Sequence, residues 1–176
     1  MKVVIVGGVA GGATAAARIR RLDEKAEIVV FERSGYISYA NCGLPYYIGD
    51  VITDAEELTL QTPESFYSRF RVDMRVHHEV TAIHPEKKTV SVKNLKTGEE
   101  FEESYDKLIL SPGAKPTQPR FSGTELDKVF TLRTVEDTLR IKKYINQNHP
   151  KSVVLAGGGF IGLELAENLR ELGMDV

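Results

Sequence analysis

The amino-acid sequence predicts an α/β fold built on parallel strands. Three observations carry this prediction. A glycine-rich turn joins an apolar run to an alanine-rich segment near residue 7, the same arrangement returns near residue 157, and a stretch with two-residue alternation lies between them. Apolar residues make up 41% of the 176 residues, which is enough for a sizeable core. The net charge of −2 provides no broad basic field for nucleic acid.

The first βαβ unit begins at the N-terminus. The β-branched run KVVIV at residues 2–6 predicts a strand buried on both faces. The segment AGGATAAARIRRL predicts a helix because alanine favours helix, and EIVVFER at residues 27–33 predicts a second buried strand. A strand, a glycine turn, a helix and a strand in this order form a βαβ unit.

The middle of the chain predicts an antiparallel β-meander inserted into the α/β domain. A helix at residues 63–70 with proline at its start is followed by the strand VDMRV. TVSVK then alternates with a period of two, and KTGE indicates a hairpin turn. KLIL returns to a buried strand that stops at SPG, and residues 134–148 predict an amphipathic helix with Thr134 as N-cap.

An internal repeat begins after Pro150. The segment VVIVGGVAGGATAAARIRRL from Val3 aligns with VVLAGGGFIGLELAENLREL from Val153 at an offset of 150. This repeat predicts a second Rossmann-like unit, whose second strand would begin at the end of the chain. We therefore expect the sequence to be the front part of a longer protein.

Both glycine turns have the composition of dinucleotide sites. Such a turn must be tight, approach the pyrophosphate closely and open a helix whose N-terminus faces the negative charge. Gly157, Gly159 and Gly162 match this fingerprint fully. The first turn keeps Gly7 and Gly12, has Val9 in the middle position, and adds Gly11 and the ribose-binding candidate Glu32 twenty residues after Gly12. Two dinucleotides that exchange electrons are naturally a flavin and a nicotinamide, and the alternative is a glycine turn without a ligand.

Cys42 is the only cysteine and lies in the stretch SYANCGLPYY. A single cysteine excludes an internal disulfide and fits a reducing compartment. A helix predicted to start at Gly43, with Pro45 in its first turn, would favour the reactive thiolate form. The alternative is a buried structural cysteine.

Four stretches carry a resemblance to a known family: VIVGGVAGGATAAARIRRL, FERSGYISYANCGLPYYIG, YDKLILSPGAKP and LAGGGFIGLELAENLRELG. They resemble the two-dinucleotide disulfide reductase flavoproteins. Within these, the chain is most similar to coenzyme A-disulfide reductases and their rhodanese-fused relatives, which act on CoA disulfide or CoA persulfide. The most specific motif is Ser38-x-x-Asn41-Cys42-x-Leu44-Pro45.

This resemblance implies FAD in the first unit and NADH or NADPH in the second. Residues 1–149 would form the first, incomplete segment of an FAD-binding domain, and residues 150–176 would begin an NAD(P)-binding domain. The FAD-binding residues predicted from motif and resemblance are Gly7, Ala10, Gly11, Gly12, Glu32, Arg33, Val80, Ser111, Pro112 and Gly113. The predicted nicotinamide dinucleotide site comprises Gly157, Gly159, Gly162 and Glu164. Cys42 would lie against the flavin as the redox-active thiol, and the full-length protein would be a homodimer.

A cationic strip on the first helix favours an anionic substrate. Thr14, Arg18, Arg21 and Lys25 follow one another at spacings that place them on one helix face. The resemblance implies CoA contacts at Thr14, Arg18, Arg21, Ser38 and Asn41. The alternative is a solvated basic face near the helix C-terminus.

The sequence thus predicts an FAD-dependent, NAD(P)H-driven reductase of CoA disulfide, CoA persulfide or a similar small species. Tyr47 stands where dithiol reductases place their second cysteine, so Cys42 would cycle through a mixed disulfide, a persulfide or a sulfenic acid. One alternative is an NADH oxidase or peroxidase that uses a Cys42 sulfenate, and another is an inactive nucleotide-binding fragment.

No apolar run is long enough for a membrane span, and we expect a cytoplasmic protein without a nucleic-acid partner. We expect no metal site, because His77 and His78 would point to opposite faces of a strand.

Overall fold

A computed structural model describes residues 1–117 and 122–176. In chain order, the elements are β1 (Lys2–Val6), α1 (Ala10–Leu22), β2 (Glu27–Glu32), β3 (Ile37–Tyr39), a 3-10 turn (Asn41–Gly43), α2 (Leu44–Ile48), a second 3-10 turn (Ala55–Leu58), β4 (Thr59–Gln61), α3 (Pro63–Phe70), β5 (Asp73–Val76), β6 (His78–His84), β7 (Thr89–Asn94), β8 (Glu100–Ser104), β9 (Lys107–Leu110), α4 (Val135–Asn148) and α5 (Phe160–Glu171).

The chain divides into two compact units. Unit 1 comprises Met1–Tyr39 and Thr59–Gly113, and unit 2 comprises Ala40–Leu58 and Ala114–Val176. The predicted domain boundary at residue 150 stays a prediction. In the part of the chain that the structure describes, no helix combines the length and apolar character needed to cross a membrane.

A parallel sheet forms the centre of unit 1, with the strand order β5-β2-β1-β9. Alternate side chains of its strands enter two different cores. Val3, Ile5 and Val30 pack in the cluster that contains the alanines of α1, whereas Val4 and Phe31 pack with the meander. The continuous apolar runs of β1 and β2 are therefore explained by burial on both faces, as predicted. The prediction that KLIL forms a buried strand is wrong, because β9 is the edge strand of this sheet and Leu110 is exposed.

The inserted meander is confirmed as the antiparallel sheet β6-β7-β8. It is tied to the parallel sheet by Lys2, whose Nζ lies 2.6 Å from a Glu103 oxygen and 2.8 Å from a Glu27 oxygen. The hydrogen bond to Glu103 is the main cause that raises the pKa of Lys2. The expectation for the histidine pair is wrong in one detail: His77 has a φ of 57° and lies between β5 and β6, so it does not share a strand with His78.

In unit 2, the helices α2, α4 and α5 share a small apolar core that includes Ile48, Leu165 and Leu169. The predicted N-cap of α4 is confirmed, since Thr134 and Asp137 form a reciprocal capping box. The strand predicted from Val153 is reduced to one parallel bridge between Ser152 and Asp175. A strand persists only where a neighbour continues its hydrogen-bond ladder, and Asp175 is the only bridge partner of this segment among the described residues.

The glycine turn of unit 1 depends on a close approach of α1 to β1. A Cβ atom at Gly12 would collide with the carbonyl oxygen of Gly7 and would lie 3.2 Å from Ile5 Cγ2. The neighbouring Gly11 is exposed, and the nearest atom to its Cβ position would be the rotatable Ser111 Oγ at 3.1 Å. Gly12 is therefore required by packing, whereas Gly11 is not.

We expect Gly12→Ala to destabilise the fold by about 1–3 kcal/mol, because backbone must move to admit the methyl group. The matched variant Gly11→Ala should be neutral or stabilising by up to ~1 kcal/mol, since alanine favours helix. Urea unfolding followed by circular dichroism measures both free energies. Equal stability of the two variants would contradict the packing role of Gly12.

Candidate functional site

Three strands of unit 1 end side by side at one edge of the parallel sheet. β1 lies between β2 and β9 in the sheet. The next strand in the sequence, β2, is on one side of β1, and the last strand, β9, is on its other side, so the strand order reverses at β1. In open α/β sheets, the crevice at such a reversal of strand order binds ligands. Gly7, Glu32 and Ser111 stand at the carboxyl ends of these three strands, which explains why the predicted cofactor residues come from distant parts of the sequence.

The glycine turn after β1 lies close to the backbone at the carboxyl ends of β2 and β9. Gly7 has a φ of 98°, and its N–H donates to the Phe31 carbonyl at 2.8 Å. Ser111 donates its N–H to the Val6 carbonyl at 2.7 Å and lies so close to Gly7 that a side chain there would collide with the Ser111 carbonyl oxygen. Val9 has a φ of −94°, so this position does not require the left-handed backbone that favours glycine, although the fingerprint has glycine there.

The N-terminus of α1 fits an anion. Val9 is the N-cap of this 13-residue helix and provides no side-chain hydrogen bond, so no cap satisfies the first backbone N–H groups. Ala10 and Gly11 are exposed at this end. Unpaired N–H groups and the positive end of the helix dipole together suit a pyrophosphate.

Glu32 ends β2 with a carboxylate that is held in place on both oxygens. Its residue is only 8% exposed, Oε2 accepts from the Gly8 N–H at 2.8 Å, and Oε1 accepts from the Ser34 N–H at 2.8 Å. An ionised carboxylate has about four acceptor positions, so two remain for ribose hydroxyls. Glu32 thus fits the predicted adenosine role and also clamps the glycine turn, a role that the sequence did not predict.

The other predicted FAD residues differ in exposure, since most lie at the surface and one packs against a core. Arg33 is exposed, with Nη1 4.0 Å from a Glu79 oxygen, and Pro112 and Gly113 are exposed beyond Ser111. Val80 packs against the core that contains Val4 and Phe31, so part of its side chain is already committed to the fold. The glycine turn, the uncapped helix and the Glu32 carboxylate together fit an adenine dinucleotide such as FAD.

The second glycine turn, in unit 2, repeats the geometry of the first. Gly157 has a φ of 119°, and a Cβ at Gly162 would collide with the Gly157 carbonyl oxygen, as at Gly7 and Gly12. Gly159 is the N-cap of α5 without a side-chain cap, and open space surrounds it. Glu164 is half-buried near the start of α5, and its backbone carbonyl accepts from Asn168 Nδ2 at 2.7 Å. This turn fits a second dinucleotide.

Cys42, in unit 2, is exposed in the 3-10 turn Asn41–Gly43. Its exposure contradicts the alternative of a buried structural cysteine. The predicted helix start is confirmed, since α2 begins at Leu44 with Gly43 as N-cap and Pro45 in the first turn. The turn is closed by the Gly43 N–H, which donates to the Ala40 carbonyl at 2.9 Å.

Two basic residues that sequence reasoning missed hold the cysteine segment within unit 2. Arg133 Nη1 donates to Asn41 Oδ1 at 2.7 Å. Lys142 is only 8% exposed, and its Nζ donates to the Ile48 carbonyl at 2.9 Å and lies 2.6 Å from an Asp50 oxygen. A lysine on the apolar stripe of an amphipathic helix was the one available signal for Lys142, whereas nothing in the sequence links Arg133 to Asn41.

In unit 1, the predicted cationic strip lies on the exposed face of α1 except for Lys25, whose placement on the helix face was wrong because α1 ends at Leu22. Thr14, Arg18 and Arg21 are exposed, and among the described residues no ion pair or side-chain hydrogen bond involves the two arginines. Arg20 differs, because its Nε donates to the Phe70 carbonyl at 2.8 Å and its Nη2 donates to the Arg71 carbonyl at 2.9 Å. The same helix therefore carries two uncommitted arginines and one that the fold uses.

Ser38 lies beside the glycine turn of unit 1. It has a φ of 45°, and its N–H donates to the Gly8 carbonyl at 3.0 Å. A left-handed backbone costs a serine roughly 1–2 kcal/mol, and such conformations cluster at functional sites.

Comparison with known proteins gives consistent matches along the chain. Residues 1–176 match the family described as pyridine nucleotide-disulphide oxidoreductase. A coenzyme A disulfide reductase from Staphylococcus aureus is 50% identical over 173 residues, which are 98% of this chain and 39% of the relative. The chain thus spans well under half the length of that relative.

Two solved structures extend the comparison. Reduced CoADR-RHD from Bacillus anthracis is 56% identical with a TM-score of 0.97, over 98% of this chain and 31% of that one. The water-forming NADH oxidase from Lactobacillus brevis is 32% identical with a TM-score of 0.91, over 99% of this chain and 38% of that one.

We expect Glu32→Gln to destabilise unit 1 by about 1–3 kcal/mol, because the amide group would face one of the two backbone N–H donors and leave it unpaired. Binding of FAD should weaken by about tenfold or more, since the ribose loses a charged acceptor. Urea unfolding and flavin fluorescence titration measure the two effects.

Glu27→Gln is the matched control for this change, because its carboxylate forms an exposed ion pair on the same strand. We expect it to change stability by less than ~1 kcal/mol and to leave FAD affinity as it is. FAD affinity that stays equal in Glu32→Gln and the parent would remove Glu32 from the cofactor site.

Proposed function

Because the chain belongs to the pyridine nucleotide-disulphide oxidoreductase family, we propose that the protein reduces CoA disulfide, CoA persulfide or a similar small disulfide or persulfide through Cys42. The observation that carries this proposal is the exposed, unpaired Cys42 in a chain that is 50% identical to a coenzyme A disulfide reductase. Because these 176 residues contain one cysteine, the proposed partner of the Cys42 thiol is the sulfur of a small compound.

Members of the family are FAD-dependent and use NADH or NADPH. We propose that unit 1 holds FAD through the backbone of the first glycine turn and through Glu32, with further contacts from Arg33, Val80, Ser111, Pro112 and Gly113. The nicotinamide dinucleotide would contact Gly157, Gly159, Gly162 and Glu164. Residues 1–149 would accordingly serve FAD and residues 150–176 would begin the NAD(P) domain, in a protein that acts as a homodimer. The bound flavin supplies two electrons, which NADH or NADPH restores.

The proposed role of Cys42 is nucleophilic. Its thiolate attacks one sulfur of CoA disulfide, a bond forms between Sγ and that sulfur, the substrate S–S bond breaks, and the second CoA leaves as a thiolate. Two electrons then cleave the mixed disulfide and return Cys42 to the thiolate. In total, one disulfide, two electrons and two protons give two CoA thiols. With CoA persulfide, the same electrons and protons give one CoA thiol and hydrogen sulfide.

The charge distribution supports an anionic substrate such as CoA, which carries phosphates. Unit 1 offers Thr14, Arg18, Arg21 and Ser38 as proposed contacts, and unit 2 offers Asn41. Arginine suits phosphate because its planar fork donates two parallel hydrogen bonds. Since Arg18 and Arg21 are not engaged by other described side chains, their guanidinium groups are free for this purpose.

A second candidate function is that of an NADH oxidase or peroxidase in which Cys42 cycles through a sulfenate. The likeness to the water-forming NADH oxidase, at 32% identity, favours it. A sulfenate also requires only one cysteine. The two functions differ in what becomes attached to Cys42, an entire thiol compound or a single oxygen.

We expect the double variant Arg18→Glu and Arg21→Glu to raise the KM for CoA disulfide by about tenfold or more, because phosphate contacts become repulsive. Reduction of an artificial electron acceptor by NAD(P)H should be unchanged. The matched control is Lys87→Glu with Lys96→Glu, an equal charge change at exposed turn residues of unit 1. An unchanged KM in the arginine variant would remove the argument for CoA.

We expect Cys42→Ser to abolish reduction of CoA disulfide, persulfide and peroxide, because a hydroxyl forms no disulfide, persulfide or sulfenate. FAD binding and reduction of the flavin by NAD(P)H should persist, which stopped-flow absorbance measures. Mass spectrometry of the purified parent should detect a reducible adduct on Cys42. The mass of CoA favours the reductase and one added oxygen favours the oxidase. Full activity of the serine variant would show that Cys42 has no chemical role.

A further inference from the structure

The cysteine segment of unit 2 is held at both ends by basic side chains from one stretch of chain. Arg133, directly before the N-cap of α4, contacts Asn41, and Lys142, within α4, contacts Ile48 and Asp50. Asn41 is the residue before Cys42, and Ile48 is the last residue of α2. The two contacts therefore bracket Cys42.

The two basic residues differ in how they are exposed to solvent. Lys142 is buried, and its Nζ donates a hydrogen bond to the Ile48 carbonyl at the end of α2. Its contribution to the stability of unit 2 is therefore sufficient to explain its position. Arg133 is half-buried, and its guanidinium contacts an amide side chain rather than an end of a helix. The Arg133 contact orders the residue next to Cys42, and it also bears on how the Asn41 amide is oriented.

Arg133 leaves the backbone at a rigid point. Its N–H donates to Asp137 Oδ2 at 3.1 Å, and the same oxygen accepts from the Thr134 N–H at 3.1 Å in the capping box of α4. The start of the arginine side chain is thereby fixed to the helix. A side chain anchored in this way can hold its partner in one orientation.

The contact also determines which way the Asn41 amide is turned. A guanidinium group has only donors, so the atom that it contacts must be the amide oxygen. The two Nδ2 hydrogens of Asn41 then point away from Arg133, and no described residue accepts a hydrogen bond from them. Without Arg133, the amide could rotate and exchange its donor and acceptor ends.

We propose that Arg133 is a positioning residue that locks the Asn41 amide with its donor end presented to the sulfur compound that reacts at Cys42. The inference rests on the proposed function, in which Asn41 contacts the substrate. It extends that function, because it assigns the orientation of this contact to Arg133, a residue 92 positions away from Asn41 in the sequence. Arg133 acts through Asn41 and need not touch the substrate itself.

A double-mutant cycle tests this relationship. The variants are Arg133→Met, Asn41→Ala and the combination of the two in the full-length protein with FAD bound. Arg133→Met keeps the aliphatic part of the side chain and removes the donors. Arg133→Lys, which keeps a donor, tests for partial rescue. Arg140→Met is the matched control, because Arg140 is an exposed arginine of α4 that contacts Asp137 rather than Asn41.

We expect Arg133→Met and Asn41→Ala each to raise the KM for CoA disulfide by about tenfold, with a smaller change in kcat. The double variant should also show about tenfold, because removing Arg133 has no further effect once the amide is absent. Arg133→Lys should recover part of the loss, and Arg140→Met should match the parent. Flavin content should be the same in all of these variants, and the unfolding midpoint should fall by a similar small amount in Arg133→Met and Asn41→Ala, because each removes the same hydrogen bond.

A second readout separates this inference from the proposed function. The rate at which dithiodipyridine modifies the Cys42 thiol needs no turnover, and it should change by the same factor in both single variants and in the double variant. If the parent fails to reduce CoA disulfide but this cycle is non-additive, the proposed function is wrong and the role of Arg133 stands. Additive effects in either readout, or an Arg133→Met variant equal to the parent in both, would overturn the role of Arg133.

Discussion

The approach of α1 to the end of β1 is the constraint on which the candidate cofactor site of unit 1 depends. Only a residue without a side chain fits at Gly12, because the Gly7 carbonyl oxygen occupies the space. This approach brings the uncapped N–H groups of α1 to the edge where β2 and β9 also end. Glu32 then secures the arrangement by accepting from Gly8 and Ser34. The turn, the helix end and the carboxylate are therefore one structure, and a change in any of them alters the geometry offered to a dinucleotide.

The two glycine turns show what the fingerprint requires physically. The first and last glycines are needed in both turns, since Gly7 and Gly157 have positive φ and Gly12 and Gly162 lie against a carbonyl oxygen. The middle position has no such requirement, because Val9 has a φ of −94° and Gly159 has a φ of −75°. A valine there changes how closely a ligand approaches but leaves the turn intact. The departure of the first turn from the motif is thus compatible with a binding site.

Local sequence signals predicted most of the fold, whereas contacts between side chains far apart in the sequence could not be predicted. Burial on both faces explains why KVVIV was predicted as a parallel strand, and the capping box at Thr134 follows from hydrogen bonds within one turn. The strand expected from Val153 is only a bridge, because pairing depends on a neighbour that periodicity does not reveal. The bond between Arg133 and Asn41 joins residues separated by 92 positions, and that between Lys142 and Ile48 joins residues separated by 94. Residue type and spacing predicted Cys42 as a site residue, but only the structure shows that Arg133 and Lys142 anchor the segment around it.

The proposed reaction of Cys42 with sulfur from outside the chain sets two conflicting requirements. It must be exposed, as Cys42 is, yet an exposed turn is free to adopt many conformations, and ordering one residue costs roughly 1–2 kcal/mol. Anchoring the flanking residues resolves the conflict, because Asn41 and Ile48 are bound to the fold while the cysteine between them stays accessible. Basic residues suit this task, since an arginine or lysine reaches far and donates to neutral oxygens without adding a competing acceptor. The segment that carries Cys42 is therefore held by the side chain of Asn41 and the backbone of Ile48, through Arg133 and Lys142, while the side chain of Cys42 stays exposed.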